Sequence, residues 1–333
     1  MRIIETRAFA RAGLLGNPSD GYFGKTISVT FRNFRARVVL YEWPELEIIL
    51  SRQDRCEFSS LNELVDDVKL NGLYGGLRLI KATIKLFAEY CRNTGIELPH
   101  QNFALRYETD IPRQVGMAGS SAIVTATFRA LLEFYEVEIP KPVLAGLVLS
   151  VETDEIGIAA GLQDRVCQLY EGLVYMDFAR EHFDRQGHGK YETLDIGLLP
   201  ALYVAYRRNL SQVSGVYHSN LRERWLQGDP EVTRAMREFA EITEAGKRAL
   251  LARDYSTLNE LMDRNFDIRS RLVRLDPINV EMVREARKLG VCAKYAGSGG
   301  SIVGLCEEPD RFERLRERLA PMDCEVIRPE TGG

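Results

Sequence analysis

The sequence predicts an α+β protein of two domains. Its 333 residues exceed the usual size of one domain and suffice for two hydrophobic cores. Segments rich in β-branched and aromatic residues are frequent up to about residue 200, whereas helical patterns fill most of the chain after it. We therefore predict a boundary near residue 200, with domains 1–200 and 201–333.

Strands open the first predicted domain. A β-like pattern covers residues 2–12 and breaks at residues 13–21, a turn rich in Gly, Asn, Pro and Asp. Three β-rich segments follow, at 26–31, 35–41 and 46–50, and predict a meander of antiparallel strands. Apolar residues at helical spacing then predict a helix over residues 75–94.

A loop of small residues, 112–122, lies between a β-favouring segment and a helical pattern at 123–135. Glycines let the backbone approach a ligand closely, and a helix start presents unpaired N–H groups and the positive end of the dipole. The loop therefore suits phosphate, and the hydroxyls of Ser120 and Ser121 add donors and an oxygen suited to Mg²⁺. A serine-capped helix start packed through small residues is the structural alternative.

The remaining elements follow from periodicity and breakers. Helices are predicted over residues 140–155, 219–225, 230–252, 255–273, 277–289 and 310–319, strands over 173–178, 202–206 and 324–328, and a polar loop over 179–191. Two half-strands flank the small residues 297–300 near the end of the chain.

Composition excludes several classes of partner. The formal charge is −4 with both signs interspersed, so we expect no nucleic-acid or membrane partner. No apolar run approaches the roughly 18 residues that a membrane span needs. Six cysteines without a Cys-x-x-Cys pair, four histidines without metal spacing and a charged N-terminus predict a cytoplasmic protein with reduced thiols. The sequence leaves the oligomeric state open.

Three glycine-rich turns (13–21, 116–121 and 297–301) and the acidic segment from Glu152 to Asp164 resemble, in this order, the motifs of the GHMP kinases. That superfamily contains galactokinase, homoserine kinase, mevalonate kinase and phosphomevalonate kinase. The middle turn is similar to the family's Pro-x-x-x-Gly-Leu-Gly-Ser-Ser-Ala loop, although one residue longer, and the last to its Lys-x-Thr-Gly-x-Gly-x-Gly-Gly segment. Segments 13–20, 160–166 and 294–300 resemble the glucuronokinases most closely.

The resemblance implies a fold and an activity. The implied fold has an N-terminal domain like ribosomal protein S5 domain 2 and a ferredoxin-like C-terminal domain with extra helices. The implied activity is ATP- and Mg²⁺-dependent phosphorylation of D-glucuronate at its anomeric hydroxyl. The alternatives are a kinase for another sugar (heptose, fucose or galactose) and a non-catalytic relative that senses sugar or nucleotide.

The resemblance also implies roles for individual residues. Asp164 would be the catalytic base, with Arg11 holding it ionised, and Ser121 and Glu152 would hold Mg²⁺, with Glu155 as the rival ligand. The family's Pro-Gly and Glu-His pairs are replaced by Phe9-Ala10 and Asn17-Pro18. The implied ATP-binding residues are Gly116, Ala118, Gly119, Ser120, Ser121 and, for adenine, Tyr74; those implied for the substrate are Asp20, Gly297, Ser298, Gly299 and Gly300.

A uronate substrate also requires a cation for its carboxylate, and the planar fork of arginine suits this group best. The candidates are Arg113, Arg165, Arg207 and Arg208. Three polar residues before a helix, Ser211, Ser214 and His218, are further candidates for the sugar pocket, with surface solvation as the alternative for each.

Overall fold

A computed structural model describes residues 2–49, 75–208 and 221–332 and confirms the α+β class. The strands are β1 (Ile3–Leu15), β2 (Lys25–Glu42), β3 (Glu47–Ile49), β4 (Phe103–Thr109), β5 (Leu173–Asp177), β6 (Lys190–Leu194), β7 (Leu202–Arg207), β8 (Lys294–Tyr295), β9 (Ser301–Leu305) and β10 (Cys324–Ile327). The α-helices are α1 (Gly76–Asn93), α2 (Gly119–Tyr135), α3 (Lys141–Ser150), α4 (Gln163–Tyr170), α5 (Arg180–Gln186), α6 (Leu221–Leu226), α7 (Pro230–Ala252), α8 (Tyr255–Leu272), α9 (Pro277–Lys288) and α10 (Pro309–Leu319). None of these described helices is long and apolar enough to cross a membrane.

The chain divides into two compact units, each assembled from several segments. The first unit comprises Met1–Ala10, Phe34–Ile111 and Ala118–Leu169. The second unit comprises Arg11–Asn33, Pro112–Met117 and Tyr170–Gly333. The domain boundary near residue 200 remains a prediction.

In the first unit, residues 36–42 of β2 pair antiparallel with β4, from Ala36 opposite Thr109 to Glu42 opposite Phe103. Strand β3 pairs with β4 in parallel, so the predicted antiparallel meander is wrong at this strand. Helices α1 and α2 bury apolar faces that include Phe87 and Phe128, both nearly inaccessible to solvent.

Strand β2 is one continuous strand, where two strands separated by a turn were predicted. Residues 32–34, which separate the two predicted strands, remain in extended backbone, and Arg32 is exposed. In the second unit, the C-terminal segment supplies partners at this point: Arg32 N donates to Glu330 O (2.8 Å) and Asn33 Nδ2 to Arg328 O (3.0 Å). The break in apolar character therefore marks solvent exposure and not a reversal of the chain.

The second unit contains an antiparallel sheet with the strand order β10-β7-β9-β8. In chain order this is 4-1-3-2, the ferredoxin-like arrangement that was predicted, and the described helices α6 to α9 follow its first strand. A core that includes Tyr203, Phe266, Met282, Ile302 and Leu315 lies between this sheet and its helices. The same unit pairs residues 25–29 of β2 with β5, and β5 with β6.

Among the described helices, α4 and α5 were not predicted, and local signals account for α5 and for the predicted start of α7. Helix α7 begins at Pro230 as predicted, because Asp229 accepts hydrogen bonds from the N–H groups of Glu231 and Val232. The polar loop predicted over 179–191 is wrong, since α5 and the start of β6 lie there. Helix α5 buries no residue, so its sequence lacks apolar periodicity.

Candidate active site

The small-residue loop ends in a sharp helix start. Helix α2 begins at Gly119, four residues before the predicted start, and its N-cap Ala118 is left-handed with φ 65°. Ser121 is fully buried, and its Oγ donates to the carbonyl oxygen of Ala118 (3.2 Å), which also accepts from Gln168 Nε2 (2.9 Å). Ser120 faces outward. The first turn of α2 therefore presents its free N–H groups beside one exposed hydroxyl.

Glu152 lies beside this helix start. The helix predicted over 140–155 is α-helical only to Ser150 and continues as a π-helical turn, Val151–Glu155. Such a widened turn re-aims side chains and is frequent at functional sites. The Glu152 carboxylate is 1% exposed; Oε1 accepts from Ser120 Oγ (2.6 Å) and Oε2 from Arg165 Nη2. The structure thus brings Ser120 to Glu152, whereas Ser121 is directed at the backbone.

The rival acidic residue, Glu155, forms an ion pair with Lys85 Nζ (2.7 Å). Among the residues that the structure describes, no group of three His, Cys, Asp or Glu side chains is arranged to hold a metal. A magnesium site in this unit would therefore depend on Glu152 and a serine hydroxyl, with phosphate and water completing the coordination.

Arg165 connects two acidic residues of the first unit. Its guanidinium is almost fully buried; besides Glu152 it contacts Gly161 O through Nη1 (2.8 Å) and Asp164 Oδ2 (3.5 Å). Asp164 lies in the first turn of α4, where the positive end of the helix dipole stabilises a negative charge. Its side chain is 20% exposed, so it stays accessible to a substrate.

In the second unit, Arg11 joins the phosphate-loop segment to the last glycine-rich turn. Its Nη1 donates to Ala296 O (2.6 Å) and Gly116 O (3.2 Å), and its backbone N–H donates to Met117 O (3.2 Å). The residue is 3% exposed. The side chain is therefore fixed within the loops that the sequence singled out.

The two glycine-rich segments of this unit pack against each other too closely for side chains. A Cβ on Gly297 would lie 2.0 Å from Gly116 O, and a Cβ on Gly300 would lie 2.8 Å from Val115 Cα. Ser301 Oγ donates to Val115 O (2.6 Å). The segments 112–117 and 297–300 thus form one compact backbone surface.

The first glycine-rich turn is held by two buried polar side chains. Lys294 Nζ donates to Gly13 O and Asn17 Oδ1 (both 2.6 Å) and to Tyr295 O (2.8 Å). Burial, together with the nearby cations Arg269 and Arg11, lowers the pKa of Lys294 well below its ordinary value. Asn265 of α8 accepts from Gly16 N (2.6 Å) and donates to Asn17 O (3.1 Å).

Arg269, one helical turn after Asn265, was not a sequence candidate. Its Nη1 donates to Gly297 O (2.7 Å) and its Nη2 to Ser298 O (3.1 Å). Its guanidinium carbon lies 5.2 Å from the centroid of the Tyr295 ring. Burial lowers the pKa of Arg269, whereas Tyr295 and the carboxylate of Asp20 act in the opposite direction. Asp20 is therefore within electrostatic range of Arg269.

The other predicted arginines lie in different surroundings. Arg113 is exposed, Arg208 pairs with Glu325 on the surface (3.3 Å), and Arg207 is buried at the end of β7. The predicted adenine contact and the polar candidates for the sugar pocket lie outside the described residues: Tyr74, Ser211, Ser214 and His218.

Comparison with known proteins gives consistent matches. The family model "GHMP kinases N terminal domain" matches residues 78–172, and "GHMP kinases C terminal" matches residues 247–322. Glucuronokinase 1 of Arabidopsis thaliana is 48% identical over 94% of this chain and 88% of its own length, and probable glucuronokinase 2 of the same plant is 47% identical over 95% and 88%. The structure of Lactococcus lactis galactokinase complexed with galactose aligns with a TM-score of 0.76 at 14% identity, covering 100% of this chain and 94% of that one. At this low identity the structural likeness shows a shared fold.

Proposed function

The chain belongs to the GHMP kinases and has their two-domain fold, and we propose that it phosphorylates the anomeric hydroxyl of D-glucuronate with ATP, giving glucuronate 1-phosphate and ADP. The observation that supports glucuronate as the substrate is the 48% identity to glucuronokinase 1 over 94% of the chain. The candidate residues agree with the chemistry, because phosphoryl transfer depends on positioning and electrostatic stabilisation, which a phosphate loop, a metal carboxylate and a base provide.

The triphosphate of ATP would bind at the start of α2. Gly116 and Ala118 have left-handed backbone, and the free N–H groups of the first helical turn, from Gly119 to Ser121, suit phosphate oxygens. Tyr74 is proposed for adenine by family resemblance. The backbone of Gly297 to Gly300 would contact substrate and phosphates.

Glu152 would hold Mg²⁺ together with a serine hydroxyl. Carboxylate and hydroxyl oxygens suit this hard cation, and the contact of Glu152 with Ser120 places two such oxygens 2.6 Å apart. Ser121, which the resemblance selects, would have to turn its hydroxyl from Ala118 O to take part. When bound, Mg²⁺ neutralises charge that develops on the phosphates.

Asp164 would accept the proton of the anomeric hydroxyl while the oxygen of that hydroxyl bonds to the γ-phosphorus of ATP. The bond from the γ-phosphorus to the bridging oxygen breaks, and ADP leaves with both electrons of that bond. Arg11 would hold Asp164 ionised, and Asp20 would accept hydrogen bonds from the sugar hydroxyls. Arg165 is better suited to positioning Glu152 than to binding substrate, because its guanidinium already contacts two carboxylates.

Two broader predictions stay part of the proposal. The domain boundary is proposed near residue 200. A cytoplasmic location is proposed because four cysteines of the described segments, Cys91, Cys292, Cys306 and Cys324, are buried and free.

The function is tested by incubating the purified chain with ATP, Mg²⁺ and a panel of sugars. We expect the highest kcat/KM with D-glucuronate. NMR spectroscopy of the product should show the phosphate attached to the anomeric carbon. A large preference for a heptose, fucose or galactose would overturn the uronate assignment. Saturable sugar binding without turnover of any sugar would instead indicate a non-catalytic sensor.

A further inference from the structure

We propose that Arg269 recognises the carboxylate of the acceptor and so determines the preference for a uronate over a neutral sugar. This inference rests on the proposed function, since it assigns the specificity of the same site. It assigns the carboxylate to an arginine outside the four that sequence reasoning selected.

Helix α8 contacts two of the glycine-rich turns, one through Asn265 and the other through Arg269. Asn265 and Arg269 are four residues apart and share one face of the helix. Asn265 holds the turn at Gly16 and Asn17, and Arg269 holds the turn at Gly297 and Ser298. One helix face therefore organises both segments proposed to contact the sugar.

The hydrogen bonds of Arg269 leave donors for a ligand. A guanidinium has five N–H groups in a fixed plane, and the bonds to Gly297 O and Ser298 O use two of them. Nε is buried and has no hydrogen-bond partner within residues 2–49, 75–208 and 221–332. The edge formed by Nε and the N–H of Nη2 on the same side would offer a carboxylate two parallel donors, the geometry that binds both of its oxygens.

No residue that the structure describes forms a direct ion pair with Arg269. In the described part of the chain its only side-chain hydrogen bonds are to the two carbonyl oxygens, and Asp20 acts on it through its electrostatic field. The Tyr295 ring packs against the guanidinium and fixes its plane. A uronate carboxylate would supply an anionic partner for Arg269, while Asp20 would accept hydrogen bonds from the neighbouring sugar hydroxyls.

The arginines that sequence reasoning selected are less suitable. Arg165 is engaged with Glu152, Asp164 and Gly161 O, and Arg208 pairs with Glu325 at the surface. Arg207 is the strongest rival, because it is 8% exposed and its Nε also has no hydrogen-bond partner in the described residues. Its hydrogen bond to the glycine-rich turn is made by the backbone N–H, which donates to Gly300 O (3.1 Å).

The test compares D-glucuronate with D-glucuronamide, which retains the hydroxyl groups but carries no charge. Wild-type enzyme should prefer the acid in kcat/KM. The Arg269→Gln variant should lose roughly 100-fold in kcat/KM for glucuronate, mainly through KM, with the amide and the KM for ATP changed less than about 3-fold. Arg269→Lys should recover part of the loss, because it restores the charge without the planar fork.

Two matched variants complete the experiment. Arg264 lies on the same helix and pairs with Glu238 on the surface, so Arg264→Gln should keep the preference for the acid. Arg207→Gln should also keep it; if it abolishes the preference, Arg207 is the carboxylate ligand and the inference is wrong.

Equal losses with acid and amide in Arg269→Gln would show that Arg269 only supports the turn. A wild-type enzyme that does not prefer the acid would overturn the proposed uronate function itself, and the Arg269 assignment with it.

Discussion

Glu152 and Arg165 form a buried ion pair in which Glu152 is the proposed metal ligand and Arg165 positions its carboxylate. Removing two charges from water is costly, and the pair recovers that cost only because each carboxylate oxygen of Glu152 has a hydrogen-bond donor. Arg165 thereby fixes the direction of the carboxylate proposed to bind Mg²⁺. The neighbouring Asp164 keeps partial exposure, as a base that must meet a sugar hydroxyl requires.

The Asp164→Asn variant should lower kcat by roughly 10²–10⁴-fold, because an amide cannot accept the proton of the sugar hydroxyl. The KM for ATP should stay near the wild-type value, since Asp164 is not proposed to contact the nucleotide. Steady-state kinetics with ATP and glucuronate measure both quantities. Asp154, which is exposed and accepts a hydrogen bond from Thr153 Oγ1 (2.8 Å), provides the control: Asp154→Asn should remain active. Full activity in Asp164→Asn would exclude it as the base.

The Arg165→Gln variant should lose about 3–5 kcal/mol of unfolding free energy, because it leaves the buried Glu152 carboxylate without its cation. Urea unfolding followed by circular dichroism measures the loss. Arg7→Gln is the matched control, since Arg7 pairs with Glu5 at the surface (2.6 Å) and its loss should cost less than about 1 kcal/mol. Equal destabilisation by the two variants would contradict a special role for the buried pair.

Among the elements, those with strong local signals were predicted and those defined by distant contacts were not. Helix α7 has a Pro at its first position and an aspartate cap, both visible in the sequence. The continuity of β2 depends on hydrogen bonds to a segment almost 300 positions away, whereas the sequence predicted two strands separated at residues 32–34. The π-helical turn that carries Glu152 has no sequence signature of its own.

Glycine substitutions test the packing of the loops. Gly297→Ala should destabilise the protein and lower kcat, because its Cβ would lie 2.0 Å from Gly116 O and push the two site segments apart. Gly146 lies inside α3 with open space around its Cβ position, so Gly146→Ala should stabilise by up to about 1 kcal/mol and leave kcat unchanged. Thermal melts and steady-state rates distinguish the two variants. If Gly297→Ala matched wild type in both, the contact of the two segments would not matter for function.

In the whole molecule, the candidate site depends on contacts between distant parts of the sequence. Arg11 bonds to Gly116 and Ala296, 105 and 285 positions away. Family motifs identified these residues because each lies within a glycine-rich segment. Asn265 and Arg269 lie in an ordinary amphipathic helix, and only the folded chain shows which segments they touch. The sequence therefore singled out the glycine-rich loops and predicted helix α8, but not the contacts that Asn265 and Arg269 make with those loops.

The stability of the whole chain should fall at both ends of the pH range. Arg37 and Arg7 lower the pKa of Glu5 from 4.5 to about 2, and Lys288 and Arg318 lower that of Glu285 to about 2. These carboxylates stabilise the folded state above about pH 4.5, and this contribution is lost as the pH falls towards 2. Burial raises the pKa of Cys292 from 9.0 to about 12 and that of Cys324 to about 11. In the unfolded chain these thiols ionise near pH 9, whereas in the folded protein they stay neutral to a higher pH. The folded state therefore loses stability as the pH rises from about 9 to about 11 or 12.

Urea unfolding midpoints measured from pH 2 to pH 11 should therefore form a plateau from about pH 5 to 8.5, with a decline on each side. The Glu5→Gln variant should show a shallower acid decline, because one carboxylate that binds protons more tightly in the unfolded state has been removed. High salt should reduce this difference, since Glu5 and its arginine partners lie at the surface where ions screen the attraction. An acid decline of the same steepness in the variant and the wild type would show that Glu5 retains its ordinary pKa in the folded protein.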